Sequence, residues 1–396
     1  MLYCSPFRRL AGVTQVVSAG EGDVFHNRLT HTLKVAQIAR RLSEKMLRDQ
    51  PSKADGHGGL DPEVVEAAAL AHDLGHPPFG HVAEKKLNEL VSENGYEGNA
   101  QSFRIVTKLS FSRPKFPGLN LTRATLNAIL KYPWLQEGAG YKRKKFGAFH
   151  SESDEFNFAR QLGPPGRKSL EAEIMDWADD IAYSVHDMED FYEAGLIPLK
   201  LLQSDKDERM RFLDQTLKRW EDTGNEGAKD FQQYRDAFEN IISLVPVSDP
   251  SSDRGRDRLR PFTSYVVSEY INAIEIADPD DSESATVKIN PDKKKEVAIL
   301  KELTWNYVIL SPALATQQHG YERVIEELFN IYKDALACGK YELVPDWFSV
   351  DHQDVSSDEG RQRAAADIVS SLSDNQALVH FRRLVGVSPG SILDRV

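Results

Sequence analysis

Cysteine is nearly missing from this chain: Cys4 and Cys338 are the two in 396 residues. Two thiols so far apart exclude a disulfide scaffold, and a cytoplasmic location is the default expectation. No apolar run is long enough to span a bilayer, so no membrane association is expected. No charged-then-apolar signal segment opens the chain. Positive charge is in deficit, with 49 Lys and Arg against 61 Asp and Glu and a net charge of -12. That balance argues against nucleic acid as the main partner. An anionic small molecule stays open, because the field of a pocket is local and a bound cation dominates it. Strand signals are sparse. "ATVKIN" at 285–290 and "YELVP" at 341–345 are the best, as flanks of a small hairpin or sheet.

The composition is otherwise that of a globular protein, 40% hydrophobic and 28% charged, with length for one large or two smaller domains. Helical period dominates. His31, Val35, Ile38 and Leu42 form one stripe of a helix from about 30 to 48. After the Gly-rich loop "KADGHGGLDP", Asp61 and Pro62 suit the N-cap and first turn of the next helix. Val65, Ala69 and His72 share a face of that helix, and Gly75 with Pro77-Pro78 ends it. Further helices are predicted at 82–94, 99–110, 121–131, 169–194, 206–221, 227–243, 262–275, 293–309, 321–337 and 361–372. Loops are predicted at 112–118, 136–149, 246–261, 277–284 and 349–360. The fold expected is all-α with at most a small β element. A core over residues 1–245 carries a mostly helical C-terminal region, 246–396, and "PVSDPSSDRGRDR" at 246–258 is the linker candidate.

The chemistry concentrates in "AHDLGHPPFGH" at 71–81, which holds three of the eleven histidines. Packing has no use for imidazoles crowded around an aspartate, two glycines and two prolines, whereas a metal or proton-transfer site has. Imidazole and carboxylate are the common ligand mix for divalent Mn, Fe, Co, Ni or Zn. His72 and Asp73 point about 100° apart on a regular helix, so both reach one ion only over the helix end, where Gly75 loosens the backbone. In "EIMDWADDIAYSVHDMED", Asp179, Tyr183 and Asp187 lie four residues apart on one face. Ile174, Trp177, Ala178, Ile181 and Val185 wrap much of that helix in apolar residues, so its carboxylates need a metal or basic partner.

Taken in order, "HNRLTHTLKVAQIARRL", "AHDLGHPPFGHVAEKKLNEL", "YEGNAQSFRIV", "LKYPW", "KKFGAFHSE" and "EIMDWADDIAYSVHDMED" resemble the HD-domain deoxynucleotide triphosphohydrolases, the dGTPase-like family. The resemblance is dense from about Ser5 to Gly195 and thinner afterwards. It implies a helical HD fold over 1–245 and metal-dependent hydrolysis of dGTP, or of dNTPs generally, to deoxynucleoside and inorganic triphosphate. It implies His31, His72, Asp73 and Asp179 as ligands of a divalent ion, Mn or Mg first and Fe, Co, Ni or Zn as alternatives. Asp180 competes with Asp179, but the family's tyrosine and aspartate, four and eight residues after the ligand, match Tyr183 and Asp187 only from Asp179. Tyr183 then contacts sugar or phosphate, and Asp187 and Gln15 attend the 3′-hydroxyl. Val16 sits near C2′, and Arg28 binds phosphate. His81, oriented by Glu84, and His76 manage protons.

Two departures accompany the resemblance. Gly98 stands in "YEGNAQ" where relatives often carry a histidine. Relatives also have an Arg/Asp-rich segment ahead of the point where "MLYCSPFRRL" begins. The family implies an even-numbered homo-oligomer, a hexamer among the options, and a dNTP effector. The run "YKRKKFG" at 141–147 reads first as a mobile solvated loop, with triphosphate or nucleic acid as what it would otherwise gather. Two other readings share these residues: an HD phosphohydrolase acting on another nucleotide, and a nucleotide-binding regulator without turnover.

Overall fold

A computed structural model describes residues 1–16, 27–92, 95–110, 116–136, 145–246, 253–280, 285–350 and 354–390, with 253–258 as backbone only. In chain order its first helices are α1 (Ser5–Arg9), α2 (Arg28–Asp49), α3 (Pro51–Gly56), α4 (Pro62–Ala71) and α5 (His81–Leu90). Next come α6 (Gly98–Arg104), which runs into a π turn at Ile105–Leu109, then α7 (Arg123–Ile129), α8 (Ser153–Arg160) and α9 (Leu170–Glu193). The series continues with α10 (Leu199–Ser204), α11 (Lys206–Thr223), α12 (Phe231–Ser243) and α13 (Asp253–Asn272). Strands β1 (Ile274–Ile276) and β2 (Val287–Ile289) form an antiparallel pair. The last helices are α14 (Pro291–Thr304), α15 (Pro312–Cys338), α16 (Asp358–Ser371) and α17 (Asp374–Leu384). The fold is all-α with one small sheet. No helix among the described residues is long and apolar enough to cross a membrane.

The long helices start where capping chemistry dictates. Asn27 accepts from Thr30 N at 3.0 Å to open α2, and Asp61 accepts from Glu63 N at 2.8 Å ahead of Pro62 in α4. Ser169 caps α9 by accepting from Ala172 N. The apolar stripes of α2, α4 and α9 close on one another in the main core, where Val35, Leu42, Ala69, Ile174, Ala178 and Ile181 are buried. That packing carries the C-terminal end of α4 and the middle of α9 to one place.

A second core joins distant parts of the chain. Ala83 and Leu87 of α5, with Phe79 before it, pack on Ile325, Leu328 and Phe329 of α15 and on the alanine-rich face of α16. Small side chains at Ala364, Ala365 and Ala366 let those helices approach closely. A buried ion triad ties α16 to α6: both oxygens of Asp367 accept from Arg104, which also donates to Glu152 at 2.6 Å. Asp367 is satisfied through both oxygens, while Glu152 is paired through Oε1 alone.

Three expectations need correction. Residues 341–345 form no strand; Tyr341–Leu343 is a 3-10 turn after the glycine cap of α15. The partner of 287–289 is instead Ile274–Ile276, placed in a helix by its apolar period; the buried-exposed-buried alternation there is strand-like. The loop and linker predicted over 246–261 give way to α13 from Asp253, which accommodates Pro261 internally. The rest of that linker, 247–252, lies outside the described residues, as do residues 137–144 of the predicted loop.

Candidate metal centre and catalytic cleft

The helix α4 stops at the histidine that matters. His72 is its C-cap, and its Nδ1 lies 2.7 Å from the carbonyl of Ala69, one turn back. The carbonyl can only accept, so Nδ1 carries the hydrogen and Nε2 presents a lone pair. That Nε2 is buried and has no hydrogen-bond partner. Around it stand Asp73 Oδ1 at 3.5 Å and Asp179 Oδ1 at 3.7 Å. Asp179 Oδ1 is also 3.1 Å from His31 Nε2. One donor atom each from His31, His72 and Asp179 lies within 4.8 Å of the others. An orphaned imidazole lone pair facing two carboxylates and a second imidazole fits a divalent ion. The donor types do not select among metals.

Electrostatics support that fit. Burial works to raise the pKa values of Asp73 and Asp179, yet both lie well below the usual carboxylate range. Asp73 is held down by His72, His76 and Arg28, and Asp179 by Lys131 and the His31 hydrogen bond. Burial opposes charge on His31, but Asp179, Asp187 and Asp73 outweigh it and raise its pKa. Three acids therefore draw positive charge to this point.

Sequence reasoning left Asp180 as a competitor. The structure turns Asp180 toward Lys301 of α14 and turns Asp179 toward the two histidines. One turn further along α9, Tyr183 feels the charges of Asp187, Asp179 and Arg28, and its phenol pKa is raised chiefly by burial. Asp187 is buried and acts on His31 as well.

The loop from Asp73 to Gly80 is pinned from three sides. Gly75 is required by close approach: a Cβ there would lie 2.2 Å from Gly98 O and 2.3 Å from Ser102 N. Ser102 accepts from Gly75 N and donates to His72 O, while Tyr96 donates to Gly75 O. Arg9 reaches in from α1 and donates to Leu74 O at 2.7 Å and His76 O at 2.8 Å. Phe79 sits at φ 65°, a region strained for a side chain bearing Cβ. It is held by stacking on Tyr321, 4.0 Å between centroids, and by donating to Asp374 Oδ1 at 2.8 Å.

That loop presents the remaining candidates. His76 is buried, and its Nδ1 lies 3.1 Å from Asp73 Oδ1 but out of line for a hydrogen bond. Burial, then the Arg28 charge, lower its pKa to about 4, so it is neutral at physiological pH. His81 stands next to it, 5.3 Å between ring centroids, with its side chain 70% exposed. His81 Nδ1 contacts Glu84 Oε2 at 2.9 Å. Burial pushes the Glu84 pKa up, but His81, His76 and Lys145 hold it well below the carboxylate range. Arg28 spends one nitrogen on Asp73 Oδ2 at 2.8 Å, while Nε and Nη2 are buried without partners. Those orphan donors are what an anion would satisfy. Gln15 presents a buried, unpartnered Oε1, and Val16 packs on the main core; the Gln15 carbonyl lies 3.7 Å from a Cβ position at Gly80.

Two lysines of this cleft were missed as site residues. Lys131 of "LKYPW" donates to Asp179 Oδ2 at 3.0 Å and pairs with Asp176 at 2.7 Å. Lys145 bonds Glu84 Oε1 at 2.8 Å and Glu97 Oε1 at 2.9 Å. Both lie in motifs that carried the family resemblance, and that was the available signal. The rest of the basic run, 141–144, lies outside the described residues.

An HD domain matches residues 28–184, and a phosphohydrolase-associated domain matches 287–383. A deoxyguanosinetriphosphate triphosphohydrolase-like protein of Streptomyces coelicolor is 34% identical, over 98% of this chain and 91% of that one. The like-named protein of Corynebacterium efficiens is 33% identical over 98% and 90%, and that of Bifidobacterium longum 33% over 96% and 80%. Domain and relatives together support phosphohydrolase chemistry on nucleotides. On these similarities, spanning nearly the whole sequence, the chain belongs to the deoxyguanosinetriphosphate triphosphohydrolase-like family of HD-domain proteins.

Proposed function

We propose that the protein hydrolyses deoxynucleoside triphosphates, dGTP or dNTPs generally, to deoxynucleoside and inorganic triphosphate. The observation that carries this is the convergence of His31, His72, Asp73 and Asp179 beside a buried arginine with two unused donors. These four residues would hold a divalent ion, Mn or Mg first. When bound, the ion supplies a Lewis acid against charge developing on the α-phosphate.

The chain's own groups do the rest. Arg28 offers Nε and Nη2 to phosphate oxygens, in a geometry already fixed by its bond to Asp73. His76, neutral at pH 7, and His81, backed by Glu84, are the groups between which the two proton transfers are divided. One histidine takes a proton from the attacking water, and the other returns one to the 5′-oxygen as its bond to the α-phosphorus breaks. Lys131 neutralises the second oxygen of Asp179 and fixes that carboxylate. Tyr183 and Asp187, one and two turns along α9, receive the sugar, together with Gln15 and Val16. Homologous names support this reading, since the three relatives are called triphosphohydrolase-like. The proposal includes an even-numbered homo-oligomer, a dNTP effector and a cytoplasmic setting. It also takes 1–245 as the HD core with 246–396 packed on it; α14 against α9 and α15 against α5 support that packing.

The test is to strip the protein of metal, supply each dNTP with Mn, Mg, Co or no metal, and separate the products by ion exchange. Intact triphosphate and deoxynucleoside, both lost in His72→Ala, are the expected result. Release of single phosphate or pyrophosphate would assign a different HD phosphohydrolase. Tight dGTP binding without turnover at any metal supply would assign a regulator.

A further inference from the structure

Lys145 has no part in the hydrolysis as proposed above, yet it touches the cluster that handles protons. Its ammonium sits between two buried carboxylates, Glu84 Oε1 at 2.8 Å and Glu97 Oε1 at 2.9 Å. Glu97 is itself fixed: its other oxygen caps α6 by accepting from Asn99 N at 2.6 Å and Ala100 N at 3.0 Å. Glu84 has one oxygen on Lys145 and on Gly98 N, and the other on His81 Nδ1. The relay therefore runs from the cap of α6 through Lys145 and Glu84 to the His81 ring.

The exposure of each member shows why the relay matters. The His81 side chain is 70% exposed, so packing does not orient its ring. Its orientation depends on Glu84, which is buried and hydrogen-bonded through both oxygens. Glu84 and Glu97 share the same ammonium, and without a cation between them two buried carboxylates repel. Gly98 borders the arrangement. A Cβ there would already be in contact with His76 Nδ1 at 3.5 Å and Glu84 Oε1 at 3.6 Å, and any longer side chain would enter the space beside them. A second consequence concerns metals: His76, His81 and Glu84 lie close enough together to ligate an ion, but the Lys145 ammonium already occupies Glu84.

We propose that Lys145 is a positioning residue for the reaction: it clamps Glu84 between itself and His81, which keeps the His81 hydrogen on Nδ1 and leaves Nε2 to exchange the proton. This rests on the hydrolase reading above, and the test separates the two. Lys145→Met, Lys145→Gln and Lys145→Arg would be compared with wild type by steady-state kinetics on dGTP with Mn. In parallel, histidine-selective 15N NMR, with His81→Asn for assignment, reads the tautomer of His81 directly. The expected loss in kcat is roughly tenfold to hundredfold for Met and Gln, the range seen when an outer partner of a functional histidine is removed. KM stays within about threefold, because no substrate contact is lost. His81 shifts from the Nδ1–H to the Nε2–H tautomer in Met and Gln, and Arg restores both tautomer and rate. An unchanged His81 tautomer in Lys145→Met and Lys145→Gln would overturn the proposal. A rise in KM with kcat intact would also overturn it and make Lys145 a phosphate contact. If wild type turns over no dNTP, the hydrolase reading falls while the NMR comparison still decides this one.

Discussion

Asp374 is the N-terminal residue of the last helix, far in sequence from the metal centre, and its removal should loosen the catalytic loop. Its carboxylate accepts from Phe79 N at 2.8 Å, from Thr14 N at 3.0 Å and from the Thr14 hydroxyl. Phe79 holds a strained positive φ in the middle of "GHPPFGH", so it depends on such outside support. A hydrogen bond to a charged group contributes about 1.5–3 kcal/mol. Three would sum higher, but Asp374 is only partly buried, and burial raises its pKa, so keeping it charged has a cost of its own. A net loss of about 2–3 kcal/mol is the reasonable figure for Asp374→Ala. The local opening equilibrium of the loop then rises by roughly thirty- to a hundred-and-fortyfold, at 1.4 kcal/mol per factor of ten. Hydrogen exchange read by mass spectrometry on peptides covering 73–81 measures this directly, and kcat should fall with it. Asp374→Asn, which keeps one acceptor oxygen, should lie between. Exchange within about twofold of wild type in Asp374→Ala would refute the claim that the C-terminal helices hold the catalytic loop.

Three other outcomes follow from the geometry. Gly75→Ala forces a methyl group onto Gly98 O and Ser102 N, both backbone, and should cost about 3 kcal/mol or more in urea unfolding, since neither can yield. Arg28→Lys keeps the charge but loses the fork that holds Asp73 while facing phosphate; kcat/KM for a dNTP should drop by about a hundredfold, and a drop under about threefold would count against the phosphate role. His380 is buried beside Tyr332, 2.7 Å from its hydroxyl, and burial with the Arg383 charge lowers its pKa below 6.5. The folded value lies below the unfolded one, so its stabilisation is whole above about pH 6.5 and is lost as pH falls through the folded value. Thermal unfolding of wild type should therefore weaken on acidification relative to His380→Gln, and parallel curves would show that His380 does not titrate this way.

The readable parts of this protein are those whose signals are local. The stripe His31, Val35, Ile38, Leu42 is a helix because it repeats at helical period, and Asp61-Pro62 starts a helix because a cap and a proline do so anywhere. Helices α1, α3, α8 and α10 escaped because runs of five to eight residues carry too little periodicity. The helix α17 escaped although Ser373 and Gln376 spell a capping box, a signal present but unused. Ile274–Ile276 continues the apolar period of α13, so only its pairing with 287–289 reveals a strand. In the cleft, His31, His72, Asp73 and Asp179 were conspicuous by residue type. Their common position was not, because it depends on how α2, α4 and α9 pack. Asp374 was invisible for the same reason, and Lys145 stood in a quoted motif without a role: an ordinary acid and an ordinary lysine acquire one only through contacts set by the tertiary fold.

The most direct measurement of the central claim is hydrolysis of dGTP with Mn in water enriched in 18O. Water attacking the α-phosphorus while the 5′-oxygen leaves predicts one 18O in inorganic triphosphate and none in deoxyguanosine. Label in free phosphate or pyrophosphate, or label in the deoxynucleoside, would contradict the assignment of the cleft and of the bond it breaks.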